Sequence, residues 1–143
     1  MGKILGIDYG TARVGLAISD ALKITAQTMP TLEIKGDNNL LIKKIKDIME
    51  ETKIDAVVIG YPRHLNGDKS ETAEKIDEVI SLIENLGLEV KKIDERLTTV
   101  MAHKTMRDLG IKQRDKKAHA DRLAAMYILE DYLNKLKWIL LLF

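Results

Sequence analysis

The chain has 143 residues, with 23 Lys+Arg against 22 Asp+Glu, no Cys, two Pro and nine Gly. That length suits one domain with a single core, since about 68–70% of the unfolded surface can be buried at this size. A formal charge of +1 means that any nucleic-acid contact must come from a local basic patch, and the lack of cysteine excludes thiol nucleophiles, thiolate zinc sites and disulfides.

The start runs straight into a strand pattern with no signal-peptide core, and no apolar run approaches the ~20 residues needed to span a bilayer. The expectation is a single cytoplasmic domain over 1–143 with no membrane partner. Residues 3–8 (KILGID) and 14–19 (VGLAIS) are short apolar runs joined by a glycine-containing turn, YGTAR, which predicts an antiparallel hairpin. A third extended stretch, about 24–34, carries Pro30, which assigns it to a sheet edge where a missing N–H does least harm. Asp37 can cap a helix with Leu41, Ile42, Ile45, Ile48 and Met49 on one face. AVVIG at 56–60 reads as a buried central strand. Residues 68–86 form a second helix ending at Gly87, LEVKKID at 88–94 a further strand, and Thr98 or Thr99 a cap for a third helix ending at 109–110. A last helix runs from about 118 into the 130s. This order predicts an α/β fold: a mixed five-stranded sheet, with strands 1–3 antiparallel followed by βαβ units, flanked by helices.

Charge is uneven. Residues 68–89 carry seven acids against two lysines, a net of −5, while 104–122 carry seven bases against three acids, a net of +4. The basic stretch, including Lys112, Arg114, Lys116 and Lys117, leads up to Asp121, which suits phosphate binding better than a plain solvated face.

Three acids stand where acids are costly. Asp8 closes the first strand on the face of Ile4 and Gly6, although Asp also commonly opens turns. Asp94 and Glu95 end the fourth apolar strand, and parity puts Glu95 with Ile93 and Asp94 opposite. Ligands gather outside the carboxyl ends of strands in open α/β sheets, but a solvated acidic turn reads the same way. Asp121 heads the stripe 121, 124, 125, 128, 129, 132, which is otherwise Ala, Ala, Ile, Leu and Tyr. A carboxylate there is expensive unless paired or metal-bound, the alternative being an acid that complements the helix dipole. Converging from two strand ends and a helix, three carboxylates make a hard-oxygen site for Mg²⁺ or Mn²⁺. Two ions ~3.5–4 Å apart would then support phosphodiester hydrolysis.

The blocks GIDYGTARVGLAISD, VVIGYPRHLNG, DERLTT and DRLAA with ILEDYL behind it resemble the YqgF family of RNase H-like nucleases, relatives of Holliday junction resolvases. The resemblance covers residues 2 to about 133. It implies an RNase H-like fold, trimming of the 5′ end of precursor small-subunit rRNA, and a divalent-metal site of Asp8, Glu95 and Asp121. The chain departs from the family pattern at its end, WILLLF, and at HAD, where a basic-apolar lead into the Asp is more usual, so the resemblance assigns no role to either the C-terminal run or His119.

Arg13 and Arg96 could meet phosphate oxygens near the metal, or pair with acids. Thr98 fits helix capping better than substrate contact. His119, at i−2 from Asp121, points elsewhere on a helix, and three scattered His make no zinc signature. Aromatics at 4% argue against base stacking and for recognition by backbone and shape. The apolar C-terminus reads as packing or a dimer contact, so the chain is expected to be a monomer or homodimer.

Alternatives are a resolvase-like nuclease for DNA junctions and a catalytically inactive nucleic-acid-binding module. Clustered acids argue against the second, because negative charge does not help a protein hold phosphates. The hairpin also resembles the phosphate-binding hairpin of sugar kinases and actin-like ATPases, which need two such domains.

Overall fold

The computed structural model describes residues 2–62, 71–94 and 116–142, the last helix by its backbone alone up to residue 121. Strands β1 (Lys3–Tyr9) and β2 (Arg13–Ser19) form the expected hairpin, with Asp8 opposite Gly15 and Gly6 opposite Ala17. Strand β5 (Ile54–Tyr61) lies parallel to β1, and β6 (Glu89–Asp94) lies parallel to β5.

The stretch expected as one third strand is two, β3 (Ala26–Thr28) and β4 (Leu32–Glu33), both antiparallel to β2. Pro30 lies between them, and its missing N–H interrupts the ladder. The sheet therefore has six strands where five were expected, in the order β3-β2-β1-β5-β6 with β4 also on β2. The edge position read from Pro30 holds.

Helix α1 (Asn38–Glu51) begins at Asp37, whose carboxylate accepts the Asn39 N–H at 3.0 Å. Helix α2 (Glu71–Glu84) ends before Gly87, which adopts φ +88°, a conformation open to glycine. The expected start of α2 at 68 and the expected helix over 98–110 lie outside the described residues. Helix α3 (Lys116–Leu142) is longer than its apolar stripe suggested and takes in most of the C-terminal apolar run.

Strand alternation divides the core in two. Leu5, Ile7, Tyr9, Val14 and Leu16 pack with Leu41, Ile45 and Ile48 of α1 and with Ile76, Val79 and Ile83 of α2. Ile4, Ala17, Val58 and Ile93 face the other way, against Ala125, Ile128, Leu129 and Leu133 of α3. Strand β5 is covered on both sides, which is why it reads as an unbroken apolar run.

Candidate functional site

Asp8 stands at the carboxyl end of β1, half-buried, on the face of Ile4 and Gly6 and therefore on the α3 side of the sheet. Its partner across the ladder is Gly15. Arg13 opens β2 and shares the parity of Gly15 and Ala17. One acid and one guanidinium thus sit on the same face at the same end of the hairpin.

The turn between them is held tightly. A Cβ on Gly10 would come 2.7 Å from the Arg13 carbonyl oxygen. The Ile34 and Lys35 N–H groups both donate to the Ala12 carbonyl, at 2.9 and 3.0 Å, and the Gly36 N–H donates to that of Thr11 at 2.7 Å. Lys35 and Gly36 take φ values of +48° and +83° to do so, and strain at a non-glycine residue such as Lys35 marks a loop whose shape is over-determined. The sequence carried only a faint sign of this brace, the KGD turn before the Asp37 cap.

Helix α3 lies very close to β1 at Gly6. A Cβ there would meet the Leu129 Cβ at 2.9 Å and the Ala125 carbonyl oxygen at 3.0 Å. Ile4, one step earlier on the same face, belongs to the cluster that contains Leu133, so α3 runs back along β1. From Gly6 to Asp8 the strand advances roughly 6.7 Å, and from Ala125 back to residue 121 the helix advances about 6 Å. The N-terminal part of α3, toward residue 121, therefore runs toward the Asp8 end of β1. Small residues make this possible: Gly6, Gly15 and Ala17 on the strands and the buried Ala124 and Ala125 on the helix. Gly15, directly opposite Asp8, was not singled out by sequence reasoning, although a glycine within the apolar VGLAIS run was its visible signal.

On β6, Ile93 packs on the α3 side. Asp94 is exposed on the other face, beside Tyr61 in the ladder. That face has its own polar arrangement. The Tyr61 hydroxyl donates to Asp77 at 3.2 Å, and the Lys92 ammonium lies 3.6 Å from Asp77 and 4.5 Å over the Tyr61 ring. The Tyr9 hydroxyl donates to Asn38 at 2.6 Å, and burial outweighs this bond to hold the phenol above its ordinary pKa.

Glu95, Arg96, Thr98, Lys112 and Arg114 lie outside the described residues. Lys116, Lys117 and His119 fall in the first turns of α3, with Asp121 just after them. Of the three expected ligands only Asp8 has a described side chain, and among the described residues no three acidic or imidazole groups gather. Among those residues, too, no helix is long and apolar enough to cross a membrane.

Residues 2–135 match the family described as "RuvX: Holliday junction resolvase". The chain is 42% identical over 134 residues to the "Putative pre-16S rRNA nuclease" of Acetivibrio thermocellus, covering 92% of this chain and 95% of that protein. It is 41% identical over 134 residues to the protein of the same name from Lactococcus lactis, covering 92% and 94%. Among solved structures it resembles Thermus thermophilus RuvC in complex with a Holliday junction substrate, with a TM-score of 0.55, 18% identity and coverage of 93% and 94%. The large terminase nuclease of the thermophilic phage G20c gives a TM-score of 0.50 at 8% identity, with coverage of 87% and 80%. These last two likenesses concern the fold, which is that of RuvC-like, RNase H-fold nucleases.

Proposed function

This chain belongs to the RuvX family, and from that premise we propose that it is a cytoplasmic, divalent-metal-dependent nuclease trimming the 5′ end of precursor small-subunit rRNA. Asp8, Glu95 and Asp121 would hold Mg²⁺ or Mn²⁺ through hard carboxylate oxygens. The reading is supported by one observation, the close seating of α3 on β1 at Gly6, two residues before Asp8. Glu95 follows Asp94 in the sequence at the parity of Ile93, the β6 residue on the α3 side. The donor set fits such an ion, because carboxylate oxygens are hard ligands, and Asp8 stands at the carboxyl end of β1, where ligands gather in open α/β sheets.

The chemistry such ions would supply there is an activated water and neutralisation of the charge that develops on the phosphodiester. The protein's part is positional. The braced 10–12 turn fixes Asp8 relative to Arg13, whose guanidinium takes a non-bridging phosphate oxygen with Arg96. Lys112, Arg114, Lys116 and Lys117 hold the backbone of a structured RNA on its approach to the site. With few aromatics in the chain, recognition rests on backbone and shape.

The test is cleavage of a precursor small-subunit rRNA fragment and of a four-way DNA junction, each with Mg²⁺, with Mn²⁺ and with EDTA, wild type beside Asp8→Asn. Metal-dependent trimming of the RNA is expected, with Asp8→Asn at least ~100-fold slower, since even outer-shell partners of a metal cost 10–100-fold. Cleavage of the junction alone would make the chain a DNA resolvase. Full activity of Asp8→Asn would remove this carboxylate from the site.

A further inference from the structure

Helix α3 continues past residue 135, where the family match ends. Its last described residues, Trp138–Leu142, are five consecutive large apolar side chains, each 50–79% exposed. At 100° per residue they surround the helix on every side, and a helix that is apolar all round is normally buried. They are not alone. Ala26 at the start of β3 packs in the same cluster as Ile4, Leu133 and Leu136, so the β2–β3 turn lies at this end of the molecule. That turn exposes Leu22 and Ile24, at 65% and 70%.

The area favours one occupant. At roughly 150–250 Å² for a large side chain, seven of them this open present on the order of 700–1,000 Å². That exceeds the roughly 300–600 Å² of the largest apolar patch on a typical monomer and matches the ~800 Å² that each partner contributes to a standard interface. The patch also does not repel its own copy. Residues 130–142 hold Glu130 and Asp131 against Lys135 and Lys137, and the turn holds Asp20 against Lys23, a net charge of zero in each. Position is consistent as well, because the tip lies 17 or more residues along α3 from residue 121, some 25 Å by helical rise. A contact there leaves the Asp8 end of both copies open.

We propose that the α3 tip and the β2–β3 turn form a two-fold homodimer interface, in which the helix end of one copy packs against the helix end and the Leu22–Ile24 turn of the other. Each tip is then covered by two elements of its partner. The contact is independent of the nuclease reading, since it uses no residue assigned to that site.

The experiment is the molar mass of the full chain by light scattering and sedimentation from micromolar to submillimolar concentration, beside Leu140→Ser/Leu141→Ser. Both leucines are exposed, so the variant should keep its fold, checked by circular dichroism. Trp138 is the only tryptophan and reports on the same surface. The wild type should have the mass of two chains and its emission should move to the red on dilution, with the same midpoint. The double variant should have the mass of one chain and red-shifted emission throughout, with cleavage per chain unchanged. A wild type of single-chain mass at every concentration overturns the proposal, as does mass growing without limit. A variant that remains dimeric overturns it too, and so does a monomer whose tryptophan moves to the blue only with phosphatidylglycerol vesicles, which would make a bilayer surface the occupant.

Discussion

Gly6→Ala adds one carbon at the point where α3 and β1 meet most closely. The new Cβ would lie 2.9 Å from the Leu129 Cβ and 3.0 Å from the Ala125 carbonyl oxygen, and both belong to parts of the helix that no rotamer change can move. Leu129→Ala gives no relief, because alanine keeps that Cβ. The helix must therefore shift by several tenths of an ångström. Overpacking of this kind costs about 1–3 kcal/mol, while replacing glycine lowers unfolded-state entropy and returns about 0.4–1 kcal/mol. A net loss of about 1–2 kcal/mol follows, or a Tm lower by roughly 3–8 °C for a chain of this size. Activity should suffer more than stability. The helix also carries residue 121, and a misplacement of about 1 Å in a catalytic constellation can cost 10²-fold. Thermal melts and metal-dependent RNA cleavage on the same samples separate the two effects. A Gly6→Ala protein that melts at the wild-type temperature and cleaves at the wild-type rate would refute the idea that this contact sets the spacing between Asp8 and the helix.

Three further outcomes are expected. Glu95→Gln should lower cleavage at least ~100-fold while Asp94→Asn leaves it unchanged, because Asp94 belongs to the face of Lys92; the reverse pattern in the same assay would mean the strand parity is misassigned. In EDTA, Asp121→Asn should melt above the wild type, since on the proposed site it removes one of three like charges. Mn²⁺ at a hundred times its dissociation constant should stabilise the wild type by about 2.7 kcal/mol and the variant far less, whereas a variant that melts lower in EDTA and shifts normally would make Asp121 a helix cap. The third concerns pH. The Lys23 ammonium, 2.7 Å away, and the Gly2 N–H hold the Asp55 carboxyl below the usual carboxylate range. A depressed folded-state pKa contributes stability that is present at neutral pH and lost as acid protonates the group, so melts of Asp55→Asn should fall below the wild type at pH 7 and converge with it in acid.

Local pattern carried much of this protein. The hairpin, the AVVIG strand, the Asp37 cap and the apolar stripe of α3 follow from periods of 2 and 3.6 residues and from turn chemistry, which act between near neighbours. The facing of Asp8 was legible for the same reason, since strand parity is a property of the chain alone. Contacts between distant segments were not legible. Pro30 reads as an edge residue, but only β2, pairing with both flanks, divides that stretch into two strands. The brace of the 10–12 turn by residues 34–36 joins segments more than 20 positions apart through backbone atoms, which leave no mark on side-chain pattern. WILLLF reads equally as core or as surface, because hydrophobicity states a preference for burial without naming what buries it. Tertiary structure decided that α3 outruns the sheet it covers, and so left Trp138–Leu142 exposed. The seating of α3 on β1 likewise depends on how closely two backbones approach, and that distance is set where Gly6 meets Ala125 and Leu129.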